Sequence, residues 1–186
     1  NSIQFPIKKA RRMNAAAALV AFHQSQRLRN KGLVECVNFG HDTFEGTVSC
    51  HRCRFAELKG TVTQFSQPVQ FVDCQLDVMN FHGAYFFGGF EMNGCSVTGD
   101  VNFECGGHNQ NGTAFSIMNT VFKSFVDFED CWFMGPFRLE NVVFEKGTNL
   151  LANFHSPVWV SFDAEPEIVN VIGDLKVNTY QRPLNS

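Results

Sequence analysis

The chain has 186 residues and a mass of 20.9 kDa, room for one ordinary domain or one domain with appendages. At 44% hydrophobic residues it can build a packed core, which excludes wholesale disorder, and no apolar run reaches the ~18 residues a membrane-spanning helix needs. The net charge of −3 conceals an asymmetry: residues 1–35 carry +6, leaving −9 for residues 36–186.

The basic stretch comes first. Residues 6–31 hold an Ala run and no internal Gly or Pro, with Pro6 at the start and Gly32 just beyond the end. Proline fits a first helical turn and glycine closes helix C-termini, so this pattern predicts a helix over 6–31. Met13, Ala17, Leu19, Val20 and Phe22 give it one apolar face. Such a helix would cap the first coil of a repeat array, whose open edge otherwise invites aggregation. The alternative is a basic arm for an acidic partner, nucleic acid or lipid head groups.

The 21 Phe residues prompt a search for a repeat, and the cysteines supply it. Cys53, Cys74 and Cys95 are 21 residues apart, each followed two residues later by a large apolar side chain, Phe55, Leu76 and Val97. One lap reads Val69-x-Phe71, Cys74-x-Leu76, Met79-x-Phe81, Ala84-x-Phe86 and Phe90-x-Met92. The same pairs extend back to Val37-x-Phe39 and forward through Val142-x-Phe144. Side chains two residues apart share a face of an extended chain, so each side of a coil sends two residues inward and then turns. Four such sides per lap predict an all-β solenoid of about five to six coils, stacked ~4.8 Å apart around a Phe column. A slip of one residue would turn that column outward, so register is strongly fixed.

Residues 105–114 (CGGHNQNGTA) interrupt the frame and lengthen their lap to 25. Gly106, Gly107 and Gly112 add nothing to packing, so this segment is expected to leave the third side as a loop, where solenoids often place contacts. After about residue 154, VWVSF (158–162) and EIVNVIGDLKV (167–177) read as strands of a C-terminal cap or as edges for dimer contact. The expected organisation is 1–34 as a basic helical cap, 35–156 as the solenoid and 157–186 as a C-terminal cap and tail.

VQFVDCQLDVMNFHGAYFFGGF (69–90) and VDFEDCWFMGPFRLENVVFEKG (126–147) resemble pentapeptide-repeat proteins, in the Phe-rich subgroup, and the resemblance spans residues 37–154. It implies a right-handed quadrilateral β-helix in which the central Leu or Phe and the residue two before it face inward. Small residues mostly fill that earlier slot here; Met79, Phe90, Phe115 and Phe137 depart from the pattern. A three-sided parallel β-helix has coils of similar length, but four inward pairs per lap argue against it.

Chemistry-bearing residues are few. Cys53, Cys74, Cys95 and Cys131 sit in the small inward slot and Cys50 in the large one, which reads as buried free thiols in a reducing compartment. Cys50-His-Arg-Cys53 has CxxC spacing without a second pair, so no metal site is expected. Cys36 and Cys105 fall near coil edges. The six His share no evident catalytic partner, and Asp127, Glu129 and Asp130 alternate with inward Phe128 as an outer turn. No phosphate-binding glycine loop joins a strand to a helix. Neither catalytic nor cofactor-binding residues are expected, and the protein reads as non-catalytic.

Three roles remain. The first is a rigid protein–protein interaction module without a small-molecule substrate, whose contact candidates are the outward Trp132 and Tyr85, the carboxylates Asp127, Glu129 and Asp130, and the loop residues His108 and Asn109. The resemblance implies a second, an acidic rod that mimics DNA and binds a topoisomerase or another DNA-binding enzyme. The −9 on the solenoid is mild beside the one charge per ~1.7 Å of duplex DNA. The third is a structural, self-assembling β-helix. A homodimer through a solenoid end fits all three. A bacterial cytoplasmic setting is expected, with secretion or a periplasmic location as alternatives because the sequence starts at Asn1 without Met.

Overall fold

A computed structural model describes residues 10–152 and 159–178. The chain winds into a parallel β-solenoid of about six turns, with one short helix near its N-terminus. Four walls run its length, each a ladder of residues in successive coils. The first wall stacks Leu33, Phe55, Leu76, Val97, Phe122 and Phe144. The second stacks Val37, Leu58, Met79, Val101, Val126 and Thr148. On the third, Thr43, Gln64, Tyr85, Gly107, Trp132 and Ser161 follow one another. The fourth runs Leu28, Cys50, Phe71, Met92, Ile117, Leu139 and Ile168. The register expected from the lap of 21 is thus present, with Cys53, Cys74 and Cys95 in the adjacent inward column, all buried.

The walls enclose one continuous core. Phe90 and Phe115 stack with ring centroids 4.6 Å apart, and Phe115 and Phe137 at 5.6 Å. On the fourth wall, therefore, both inward slots hold large residues. The Cys column of the first wall and Ala84, Gly106 and Cys131 of the third leave the room they fill.

The corner between the fourth and first walls shows why the coils turn where they do. Asn30, Arg52, Asp73, Gly94, Asn119, Asn141 and Asn170 all adopt positive φ there. Asn and Asp tolerate this conformation best among residues with a Cβ, and glycine adopts it freely. Asn93, Asn119, Asn141 and Asn170 join this corner into an amide ladder, each Nδ2 donating to the Oδ1 of the Asn one coil earlier at 2.9, 3.1 and 2.6 Å.

Three expectations change. The helix spans Ala15–His23 rather than 6–31; Pro6, its expected start, lies outside the described residues. Asn14 caps it, its Oδ1 accepting from the Ala17 amide at 2.8 Å. It ends not at Gly32 but at Ser25, which takes φ 52° while the Gln26 amide donates back to the Ala21 carbonyl at 2.8 Å. Tertiary pairing claims the flanks: Arg11–Arg12 pairs with Lys31–Asn38, and Leu28–Arg29 pairs with the coil above. Ala18, Ala21 and Phe22 are buried, with the Phe22 ring 5.9 Å from Phe39, so the capping role holds for the shorter helix.

Secondly, the ladder begins at Arg11–Arg12, ahead of the helix, and runs past residue 157. Ser161–Phe162 pairs with Trp132–Phe133, Glu167–Val169 with Phe137–Glu140, and Ile172 bridges Val143. Thirdly, most of the 105–114 segment stays in the wall. Gly107 bridges Tyr85 on one side and Trp132 on the other. A Cβ at Gly106 would lie 2.6 Å from the Ala84 carbonyl oxygen, and one at Gly107 2.7 Å from that of Trp132. These glycines are present because nothing larger fits, and the exposed excursion shrinks to the tip around Gln110, Asn111 and Gly112.

All seven cysteines are free thiols, five buried and two, Cys36 and Cys105, half-buried. Burial pushes the Cys50 and Cys131 thiols well up. At mildly alkaline pH a thiol reagent is expected to modify two cysteines quickly in the native protein and all seven after unfolding. A third fast thiol in the native state would contradict the inward register of the Cys columns. No helix among the described residues is long and apolar enough to cross a membrane.

Candidate interaction face

The corner between the second and third walls is built by a repeated polar turn. Asn80 Oδ1 accepts from the His82 amide at 3.2 Å, Asn102 Oδ1 from Glu104 at 2.8 Å, and Asp127 Oδ1 from Glu129 at 2.9 Å. Three residues after each of these acceptors the backbone flips to positive φ, at Gly83, Cys105 and Asp130, as it does at Val62 one coil earlier. The outcome is two outward columns, one holding His82, Glu104 and Glu129 and the other Cys105 and Asp130. His82 Nδ1 lies 3.3 Å from Glu104 Oε2, and Cys105 Sγ lies 3.8 Å from Asp130 Oδ2. Burial, followed by the charges of Glu104 and Asp130, raises the Cys105 thiol above its ordinary value. That is the reverse of an activated nucleophile, which needs a nearby cation or helix N-terminus.

Beyond the corner, the third wall presents an aromatic column. His108 stacks on Tyr85 with ring centroids 3.9 Å apart and meets the edge of Trp132 at 5.5 Å. Tyr85 also contacts Phe87 at 5.8 Å. Trp132 is 42% exposed, and its Nε1 donates to Asp163 Oδ1 at 2.8 Å, which orients the indole. Desolvation lowers the His108 pKa, with Asp130 pulling weakly the other way, so the ring is neutral near pH 7 and stacks as an aromatic.

Of the sequence candidates, Trp132, Tyr85 and His108 therefore converge, and Asp130 is exposed beside them. Glu129 is half-buried on the same corner. Asp127 serves the fold: its Oδ1 also accepts from Asn149 Nδ2 at 2.8 Å. Asn109 is no surface contact. It is fully buried, and its Nδ2 donates to the carbonyls of Thr113 at 2.8 Å and Pro136 at 2.9 Å, pinning the insertion to the next coil. The grouping of His82, Glu104 and Cys105 escapes a sequence search because its members are distant until the coils stack. Adding one lap of 22 to His82 reaches Glu104, and that arithmetic was the available signal.

No protein-family model matches the chain, and comparison with curated proteins and with solved structures finds no match.

Proposed function

We propose that this protein is a non-catalytic interaction module that docks a partner protein on its third wall. The carrying observation is the column Tyr85–His108–Trp132, three rings in mutual contact from successive coils, carried on the Tyr85–Gly107–Trp132 backbone ladder. Aromatic side chains held rigid lose little entropy on binding, and Trp and Tyr are enriched among interface hot spots. The lap of 21 and its inward pairs support kinship with Phe-rich pentapeptide-repeat proteins. The DNA-mimic reading draws less support. Asp73 sits at the fourth–first corner paired with His51 and Arg52, Asp100 at the first–second corner bonded to Ser124, and Asp127, Glu129 and Asp130 at the second–third. Carboxylates spread over three corners do not form the single row that imitates a phosphate strand.

The test begins with capture of the partner from a lysate of the native host, followed by affinity measurement on variants. Trp132→Ala is expected to weaken binding by at least about 2 kcal/mol, roughly 30-fold, with little dependence on salt. Joint reversal of Glu129 and Asp130 to Lys should change it by less than about 1 kcal/mol. Binding untouched by Trp132→Ala but lost on charge reversal would transfer the assignment to the mimic.

A further inference from the structure

We propose that the second–third corner is a transition-metal site of the zinc class, with His82 Nδ1, Glu104 Oε2 and Cys105 Sγ as ligands and the Asp130 carboxylate completing the set. The three ligand atoms already lie within 4.8 Å of one another. Bonds of about 2.0–2.3 Å in a tetrahedral site place ligand atoms about 3.3–3.8 Å apart. The His82–Glu104 separation of 3.3 Å and the Cys105–Asp130 separation of 3.8 Å both match such edges.

The backbone beneath is fixed coil to coil. Gly83 donates to the Glu104 carbonyl at 2.7 Å and Cys105 to that of Glu129 at 2.8 Å, while Asn80 and Asn102 hold the turns that aim His82 and Glu104. Two consecutive coils thus supply one nitrogen, one sulfur and one carboxylate within 4.8 Å of one another, and the next coil adds the Asp130 carboxylate 3.8 Å from the sulfur. A mixed nitrogen, sulfur and oxygen set suits Zn²⁺ or Co²⁺, whereas Ca²⁺ and Mg²⁺ take oxygen ligands. Glu104, Glu129 and Asp130 make the corner electronegative, which favours a divalent cation, and the cation in turn stabilises the Cys105 thiolate as it displaces the thiol proton to solvent. The ligands are half-buried apart from the exposed Asp130, so an ion reaches them from bulk water. A bound ion would tie three coils together beside the aromatic column, though the site stands independently of that column's partner.

Cobalt reports a sulfur ligand directly. Co²⁺ added to the reduced 186-residue chain should give a near-ultraviolet thiolate-to-cobalt band saturating at one ion per chain and bleached by Zn²⁺. Cys105→Ser should abolish the band. His82→Ala and Glu104→Gln should weaken affinity by more than the about 10–100-fold typical of outer-shell partners. Cys36→Ser, which alters the other half-buried thiol, should leave it intact. Zn²⁺ should also lower the number of fast-reacting thiols in the unsubstituted protein from two to one, a readout that needs no variant to fold. Absence of the band, its persistence in Cys105→Ser, its loss in Cys36→Ser, or a thiol count unmoved by Zn²⁺ would each overturn the assignment.

Discussion

Replacing Phe115 with alanine is expected to lower the free energy of unfolding by about 3–5 kcal/mol, the range for truncating a fully buried Phe. Phe115 is where the core converges. Its ring lies 4.6 Å from Phe90, 4.9 Å from Phe133 and 5.4 Å from Phe103, and it also meets Phe86, Phe128 and Phe137. The surrounding rings are held by ladders on the second, third and fourth walls, so the cavity resists collapse and the cost should fall near the upper end. Phe128 meets fewer rings, those of Phe103, Phe115, Phe133 and Phe137, and Phe128→Ala should cost somewhat less within the same range. Denaturant titration decides the matter. A loss below about 1 kcal/mol at Phe115 would mean that its ring does not occupy the core centre.

The second large effect is expected at Gly135. A Cβ there would overlap the Gln110 carbonyl oxygen and approach the Thr113 carbonyl oxygen to 2.7 Å. Both obstructing atoms are backbone, and the next residue's carbonyl holds the buried Asn109 amide. Relief of the clash must therefore push the insertion off the wall and break that contact. Gly135→Ala should cost about 3 kcal/mol, the upper end of the overpacking range. Gly112→Ala, at the open tip of the same insertion, meets no neighbouring atom and incurs backbone strain alone from its φ of +92°, about 1 kcal/mol. Equal melting points for the two variants would show that the coils have slack at this corner.

The solenoid was legible in the sequence because inward positions tolerate so few side chains. Cys53, Cys74 and Cys95 repeat a small thiol, and Phe or Leu recurs two residues on, so the lap could be read by subtraction. The first coil was not legible. Between Arg27 and Glu35 its outward positions are mostly charged, with Val34 exposed among them, and its inward ones reduce to Leu28 and Leu33, a signal weaker than the neighbouring Ala run. Only pairing with the next coil makes those residues a strand. Gly106 and Gly107 misled in another way, since a glycine demanded by close backbone approach looks the same in sequence as one that ends an element. For the candidate face, outward parity sufficed to find Trp132 and Tyr85. Whether a polar side chain faces the solvent or fastens its own turn is decided by atoms a coil away, so Asp127 and Asn109 were read as surface when both hold the fold.

The short helix has a further consequence for how the rod comes apart. Stability in a stacked array is approximately a sum over neighbouring interfaces, and opening spreads inward from whichever terminal repeat is held least. At one end Phe22 is wholly buried over the first coil. At the other, the inward Phe162, Ile168 and Leu175 are only half-covered. The two terminal interfaces therefore differ in strength, and disassembly has a polarity. Opening is expected to start from the Ile168 end and to peel coil by coil toward the helix, leaving the thiol column at Cys53 and Cys74 sealed until late.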